Sequence, residues 1–318
     1  MTVTPVFLFP GQSSKDARVF ERLARGAPTE TGATLARASE RLGRDLAAHY
    51  APGNASIFAR NRDLQVGVFL ANHVFLEILE RAGVTAPLSA GLSLGEYNHL
   101  VHVGALDFED ALVLVDARGA AYDEGPEGSM AAVFPVDRAD LDSVLERARA
   151  HGCIEIGNDN SPTQHVLTGA REAIAAAVTI VEDELYARAI VIEPRIPMHS
   201  SLFRPVAERF RAALSAARFF TPDLAYLPNV LGRFVEGPTP EVFRSLLERH
   251  VHEPVRFRES IELIAALHPD AAFVEVGPRS VLHDLLDRRW RKEPRFKTDG
   301  EDVAAIIASL AKELGRGT

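Results

Sequence analysis

Apolar and polar positions alternate in a way that divides the chain into three stretches. The first opens with Val6-Phe7-Leu8-Phe9, an unbroken apolar run stopped by Pro10-Gly11. This reads as a buried strand that delivers a loop at Gln12-Ser13-Ser14. Residues 15 to about 50 follow a helical, Ala- and Arg-rich pattern. Residues 64–82 place apolar side chains at helical spacing up to Gly83, which predicts a core helix. Pro87-Leu88-Ser89-Ala90-Gly91 then leads into a serine motif after which a helix should follow. Residues 108–121 form an amphipathic helical pattern that contains Arg118.

The pattern changes after Gly125-Pro126-Glu127-Gly128. Strand patterns at 130–136, 154–156, 166–168 and 189–192 are separated by helical patterns at 137–151 and 170–187. The order β-α-β-β-α-β is the ferredoxin-like signature. It predicts a small domain at residues 129–197, inserted into a larger one made of residues 1–128 and 198–318. The third stretch returns to helices with short strands at 225–227 and 273–276, and ends in one amphipathic helix after Asp299. No internal repeat or low-complexity tract is present.

Composition narrows the picture. At 318 residues the chain is long for one core, in keeping with a large domain carrying a smaller one. A net charge of −9 argues against general nucleic-acid binding. Cys153 is the single cysteine, so neither an intrachain disulfide nor a cysteine zinc cage can form, and a reducing cytoplasm fits. The first residues lack a signal-like pattern, and apolar stretches break before membrane-spanning length. The expectation is a cytoplasmic protein off the membrane. Nothing signals an oligomer, and a monomer is expected.

Gly91-Leu92-Ser93-Leu94-Gly95 carries the candidate chemistry. Gly-x-Ser-x-Gly builds a tight strand-to-helix turn that exposes a nucleophilic hydroxyl, with helix N-terminal amides at hand for an oxyanion. Alone, the pattern weighs evenly against an ordinary Gly-rich turn. A serine also needs a base. Of eleven histidines, His199 stands on a proline-bracketed loop, but spacing does not choose it over His99 or His252. Arg118, taken alone, reads as a helix-face arginine paired with Asp116 or Asp123.

Eight stretches, in order along almost the whole chain, resemble the malonyl-CoA:acyl-carrier-protein transacylase family, including the discrete acyltransferases that serve polyketide synthases in trans. They are Phe7-Leu8-Phe9-Pro10-Gly11-Gln12, Gly91 through Tyr97, Val115-Asp116-Ala117-Arg118-Gly119, Ile156 through Pro162, Pro197-Met198-His199-Ser200, Pro228-Asn229-Val230, His252-Glu253-Pro254-Val255 and Phe273 through Pro278. The resemblance implies an α/β fold: an α/β-hydrolase-like large domain with the ferredoxin-like insertion. It implies a ping-pong acyl transfer from coenzyme A, or from a donor carrier protein, to the phosphopantetheine thiol of an acyl carrier protein. No bound cofactor is implied, since the coenzyme A thioester is a substrate. Ser93 matches the nucleophile, His199 the base, and Gln12 and Leu94 the oxyanion-hole amides. His250 falls where a backbone carbonyl orients the base, so its side chain is expected to be idle. Arg118 matches the guanidinium that holds the free carboxylate of malonyl-type groups, a bidentate task suited to arginine. Asn160 and Asn229 resemble pocket-lining asparagines; read alone they are turn residues.

The chain departs from the family in places. Leu92 replaces the usual histidine before the nucleophile, the first loop reads Gly11-Gln12-Ser13-Ser14-Lys15, and Met198 precedes His199 where the acyl α-substituent would pack. Malonyl is the default acyl group, with hydroxy-, amino- or alkyl-malonyl groups open.

Residues 288–297 hold six positive charges and one negative, leaving −14 on the rest of the chain. Arg288, Arg289, Arg291 and Lys292 thus form either a docking patch for an acidic carrier protein or a solvated helix end with aromatics tucked inward. Two other functions stand as alternatives. A carrier-protein editing hydrolase of the same fold is disfavoured by Arg118. A non-catalytic synthase docking partner is disfavoured by the intact Ser93, His199 and Gln12.

Overall fold

The computed structural model describes residues 3–54, 56–290 and 296–314. Its first strand, β1 (Thr4–Phe9), shows how the apolar run is used. Val6 and Leu8 point into one hydrophobic cluster, Phe7 and Phe9 into another, so the strand is buried on both faces. The helical stretch that follows is not continuous. It splits into α1 (Val19–Gly26), α2 (Pro28–Leu42) and the short α3 (Leu46–His49). Pro28 starts α2, and Gly43, with φ of 62°, ends it in the left-handed region. The long α4 (Asn61–Arg81) runs through the core, with most of its residues buried, and packs on α6.

β2 (Leu88–Gly91) leads into α5 (Gly95–His102) and then α6 (Phe108–Asp123). Next come β3 (Ser129–Phe134), α7 (Arg138–Ala148), β4 (Ile154–Ser161), β5 (Gln164–Gly169), α8 (Arg171–Asp183) and β6 (Arg188–Glu193). The chain closes with α9 (Arg204–Ala216), α10 (Pro240–His252), α11 (Phe257–Leu267), β7 (Ala271–Glu275), α12 (Val281–Leu285) and α13 (Val303–Leu314).

Two sheets result. One is parallel, with order β2-β1-β7. The other is antiparallel, with order β4-β5-β3-β6. One face of the antiparallel sheet carries Ala131, Val133 and Leu167 against α7 and α8. Its other face turns Met130, Ala132 and Val166 into the main core. At its edge, β6 leaves Ile190, Val191 and Ile192 about half exposed.

Two strand expectations change. The strand expected at 154–156 continues to Ser161 in spite of its polar residues. Gly157 and Asp159 exchange backbone hydrogen bonds with Val255 (2.8 and 2.9 Å), so the polar stretch is bridged to the loop after α10. The strand expected at 225–227 shrinks to one bridge between Tyr226 and Val235. The neighbouring Leu227 amide donates instead to His99 Nε2, at 3.0 Å. Among the described residues, no helix is long and apolar enough to cross a membrane, and no group of three or more His, Cys, Asp or Glu is placed to hold a metal ion.

Candidate active site

β2 ends in a turn that only glycines at two positions permit. A side chain at Gly91 would strike the Gly95 backbone, and one at Gly95 would strike the Phe9 carbonyl. Between them Ser93 adopts φ of 50°, unusual for a non-glycine residue. Asn229 braces this turn from behind: its Oδ1 accepts the Ser93 N–H at 2.7 Å, and its Nδ2 donates to the Gly91 carbonyl at 2.8 Å.

The base arrives from the loop after β6. His199 also has a positive φ, 59°. Its N–H donates to the Val251 carbonyl (3.2 Å), and the Thr168 hydroxyl donates to the preceding Met198 carbonyl (2.8 Å). Nε2 lies 2.7 Å from Ser93 Oγ, while Nδ1 lies 2.8 Å from the His250 carbonyl oxygen. A carbonyl can only accept, so Nδ1 carries the proton and Nε2 is left to accept from the serine. Burial, then the nearby Arg118 charge, pushes the His199 pKa down to about 3. The imidazole is therefore neutral at working pH.

Arg118 is buried beneath the serine. Nη2 lies 3.3 Å from Ser93 Oγ and Nη1 donates to Gln65 Oε1 at 2.7 Å. The guanidinium stacks over Tyr122, 4.3 Å from the ring centre. Neither aspartate that the sequence offers as a partner pairs with Arg118. Asp116 pairs with Arg44 and Arg62, and Asp123 accepts from the Asn61 amide at the start of α4. Among the described residues no carboxylate lies within ion-pair distance of Arg118.

Above the serine is a cavity of about 270 Å³ lined by Gln12, Leu64, Leu92, Ser93, Met130, Asn158, Met198 and His199, among others. Gln12 Nε2 points at Met198 Sδ, 3.5 Å away. The Gln12 and Leu94 amides, at the first loop and the start of α5, have no hydrogen-bond partner among the described residues.

Two residues expected in the pocket lie elsewhere. Asn160 bonds Gln164 within its own hairpin (3.1 Å) and lines a separate depression with Phe257 and Trp290. Asn158, two positions earlier on β4, lines the cavity instead. Asn229 sits behind the nucleophile, as its two bonds to the elbow require. His250 is not idle in its surroundings: its ring stacks on His199 (5.2 Å between centroids), and its Nδ1 lies 3.2 Å from Glu96 Oε2. Sequence reasoning passed over Glu96, Gln65 and Asn158. For Glu96 the one signal was a carboxylate right after the second elbow glycine, a place the helix dipole explains equally well. Of the rival histidines, His99 is spent on Ser89 (2.7 Å) and the Leu227 amide. Arg288 and Arg289 are exposed, with Arg289 3.3 Å from Asp287 and over the Trp290 ring. Arg291 and Lys292 lie outside the described residues.

A mixed α/β fold with a neutral histidine on an elbow serine defines an enzyme of the serine acyl-transfer class. The chain belongs to the acyl transferase domain family, whose model matches residues 6–316. It is 31% identical to the malonyl CoA-acyl carrier protein transacylase of Bacillus subtilis over 315 residues, 96% of this chain and 97% of that one. The transacylase of Coxiella burnetii superposes with a TM-score of 0.88 at 28% identity, over 99% of both chains. A malonyl-transacylase solved in complex with its type II polyketide-synthase acyl-carrier protein gives a TM-score of 0.86 at 28% identity, over 97% of this chain and 99% of that one.

Proposed function

We propose that this protein is an acyltransferase that moves a malonyl-type group from a coenzyme A thioester to the phosphopantetheine thiol of an acyl carrier protein, in fatty-acid or polyketide biosynthesis. The observation that carries this reading is the convergence of His199 Nε2 (2.7 Å) and Arg118 Nη2 (3.3 Å) on Ser93 Oγ. Ser93 Oγ attacks the thioester carbon as its proton passes to His199 Nε2. The carbonyl oxygen takes the negative charge and is met by the Gln12 and Leu94 amides. Collapse breaks the carbon–sulfur bond, and the imidazolium returns the proton to the departing thiolate. The pantetheine thiol then repeats the steps in reverse on the acyl-enzyme. Arg118, with no carboxylate of the protein to pair with, takes the free carboxylate of the acyl group. Leu92, Met198, Met130 and Asn158 surround that group.

The architecture read with this function has two domains. Residues 129–197 form a ferredoxin-like insertion, supported by the β-α-β-β-α-β order and the β4-β5-β3-β6 sheet. Residues 1–128 and 198–318 form an α/β-hydrolase-like domain, supported by the parallel sheet and its elbow. The acidic carrier protein docks near Arg288, Arg289, Arg291 and Lys292, and the enzyme works as a cytoplasmic monomer. Intact-mass measurement after exposure to malonyl-CoA tests the reading: the wild type should gain one malonyl group and Ser93→Ala none. An unlabelled wild type, or equal labelling of the variant, defeats it.

A further inference from the structure

Behind the dyad, Glu96 is fully buried and bonded on both oxygens. Tyr226 OH donates to Oε1 at 2.6 Å and the Asn229 N–H to Oε2 at 3.2 Å. The same Oε2 lies 3.2 Å from His250 Nδ1. These contacts lead to both halves of the site. Asn229 is the residue whose side chain holds the Ser93 amide and the Gly91 carbonyl. His250 is the residue whose carbonyl takes the His199 Nδ1 proton and whose ring stacks on the His199 ring. One carboxylate therefore joins the elbow of α5 to the end of α10.

We propose that Glu96 is a positioning residue for the Ser93–His199 pair, fixing the elbow through Asn229 and the base through His250, and setting a negative charge behind a dyad whose histidine is held by backbone groups and not by a carboxylate of its own. The proposal rests on the acyl-transfer reading above only for the identity of the reacting pair. The chemical reason is that His199 gains a positive charge when it takes the serine proton. A carboxylate two layers back stabilises that imidazolium without touching it.

The charge is also switchable. Burial raises the Glu96 pKa to about 7, against the Tyr226 and Asn229 hydrogen bonds and the Arg118 charge, which lower it. The titratable and charged groups facing it are Tyr226 and His250 from the neighbouring segments, Tyr97 on its own helix, and Arg118 on α6. Burial holds His250 well below its ordinary value and His199 at about 3, so both are neutral near pH 7. Burial holds Tyr97 and Tyr226 far above neutrality. Of this set, Glu96 is the member that changes charge near neutral pH.

A fluorophosphonate reads serine activation without any acyl group: the Ser93 Oγ–P bond forms, the P–F bond breaks, fluoride leaves and the proton goes to His199. Its labelling rate, measured between about pH 5.5 and 9, should rise in the wild type as Glu96 ionises. Glu96→Gln should remove the rise and leave a rate roughly tenfold below the wild-type plateau. Tyr226→Phe removes a donor that favours the carboxylate, so its rise should persist but move to higher pH. A Glu96→Gln profile that matches wild type in plateau and midpoint overturns the proposal, as does a Tyr226→Phe midpoint that stays put or falls. Tyr226→Phe carries the test if Glu96→Gln does not fold. A wild type that takes the fluorophosphonate but no malonyl group defeats the acyl-group reading and leaves the role of Glu96 standing.

Discussion

At Ser93 Oγ, two neighbours act on a single atom. His199 Nε2 accepts the proton, and Arg118 Nη2 offers a hydrogen bond to the oxygen left behind. In the acyl-enzyme proposed above, that oxygen is esterified and the same Nη2 would turn to the acyl carboxylate. Arg118→Ala should lower kcat/KM for malonyl transfer by about 100-fold or more, the scale of a charge-assisted bidentate contact, and change acetyl transfer far less. Parallel assays with malonyl-CoA and acetyl-CoA measure the difference, and equal losses on both would show that the arginine serves the serine alone. Little of this constellation was legible residue by residue. His199 and Ser93 are 106 positions apart, and no local spacing reports such a contact. The ordered resemblance, not periodicity, singled out His199, Gln12 and Arg118. Asn160 and Asn158 show the limit of that route. Both fall in the same matching stretch, and two positions along a strand separate a hairpin contact from the cavity wall.

Among elements, the elbow depends on parts far from it in sequence. Asn229 belongs to an irregular loop, yet it supplies both bonds that close the β2–α5 turn. Asn229→Ala leaves the buried Ser93 amide and Gly91 carbonyl unpaired, which should cost about 1–3 kcal/mol. Thermal unfolding should show a melting temperature lower by several degrees, together with slower acylation of Ser93; an unchanged melting temperature would mean that the turn holds its strained φ unaided. Elements with strong periodicity, such as α4, β1 and the strands β3, β5 and β6 of the antiparallel sheet, are foreseeable to within a few residues. β4 was read short because Asn158, Asp159, Asn160 and Ser161 look like a loop. The stretch is bridged by Val255, a partner almost a hundred residues on, which bonds the backbone of Gly157 and Asp159. The helices after residue 198 are foreseeable only as a return to helical pattern, since they are short and separated by irregular loops.

Across the whole molecule, buried titratable groups set how stability follows pH. Glu96 and Glu275 have folded pKa values raised by burial to about 7 and about 8, so between about pH 5 and 8 the folded state holds protons that the unfolded chain has released. Their contribution falls as pH rises through that window. His99, His102 and His199 are held by burial at about 3, 4 and 3, and His250 well below its ordinary value. Below about pH 6.5 the unfolded chain takes up protons there that the folded state refuses, so stability falls with pH on that side. The two trends oppose each other, and four histidines outweigh two glutamates below about pH 6.5, where both act. Melting temperature measured against pH should therefore peak near neutrality and decline on both sides; a steady rise through pH 8 would contradict the buried, protonated glutamates.

The guanidinium of Arg118 is enclosed by Gln65, Tyr97 and Tyr122, and among the described residues no carboxylate reaches ion-pair distance, Glu96 acting on it only from farther off. The resting enzyme thus keeps at its centre a cation with no contact partner of opposite charge. Cargo with a free carboxylate would complete the interior, while neutral cargo would leave the same gap open. Selection of the acyl group then becomes a matter of which loaded enzyme lasts. On the proposed role of Arg118, an acyl-enzyme bearing a carboxylate should outlive one bearing a neutral group while both wait for the carrier protein.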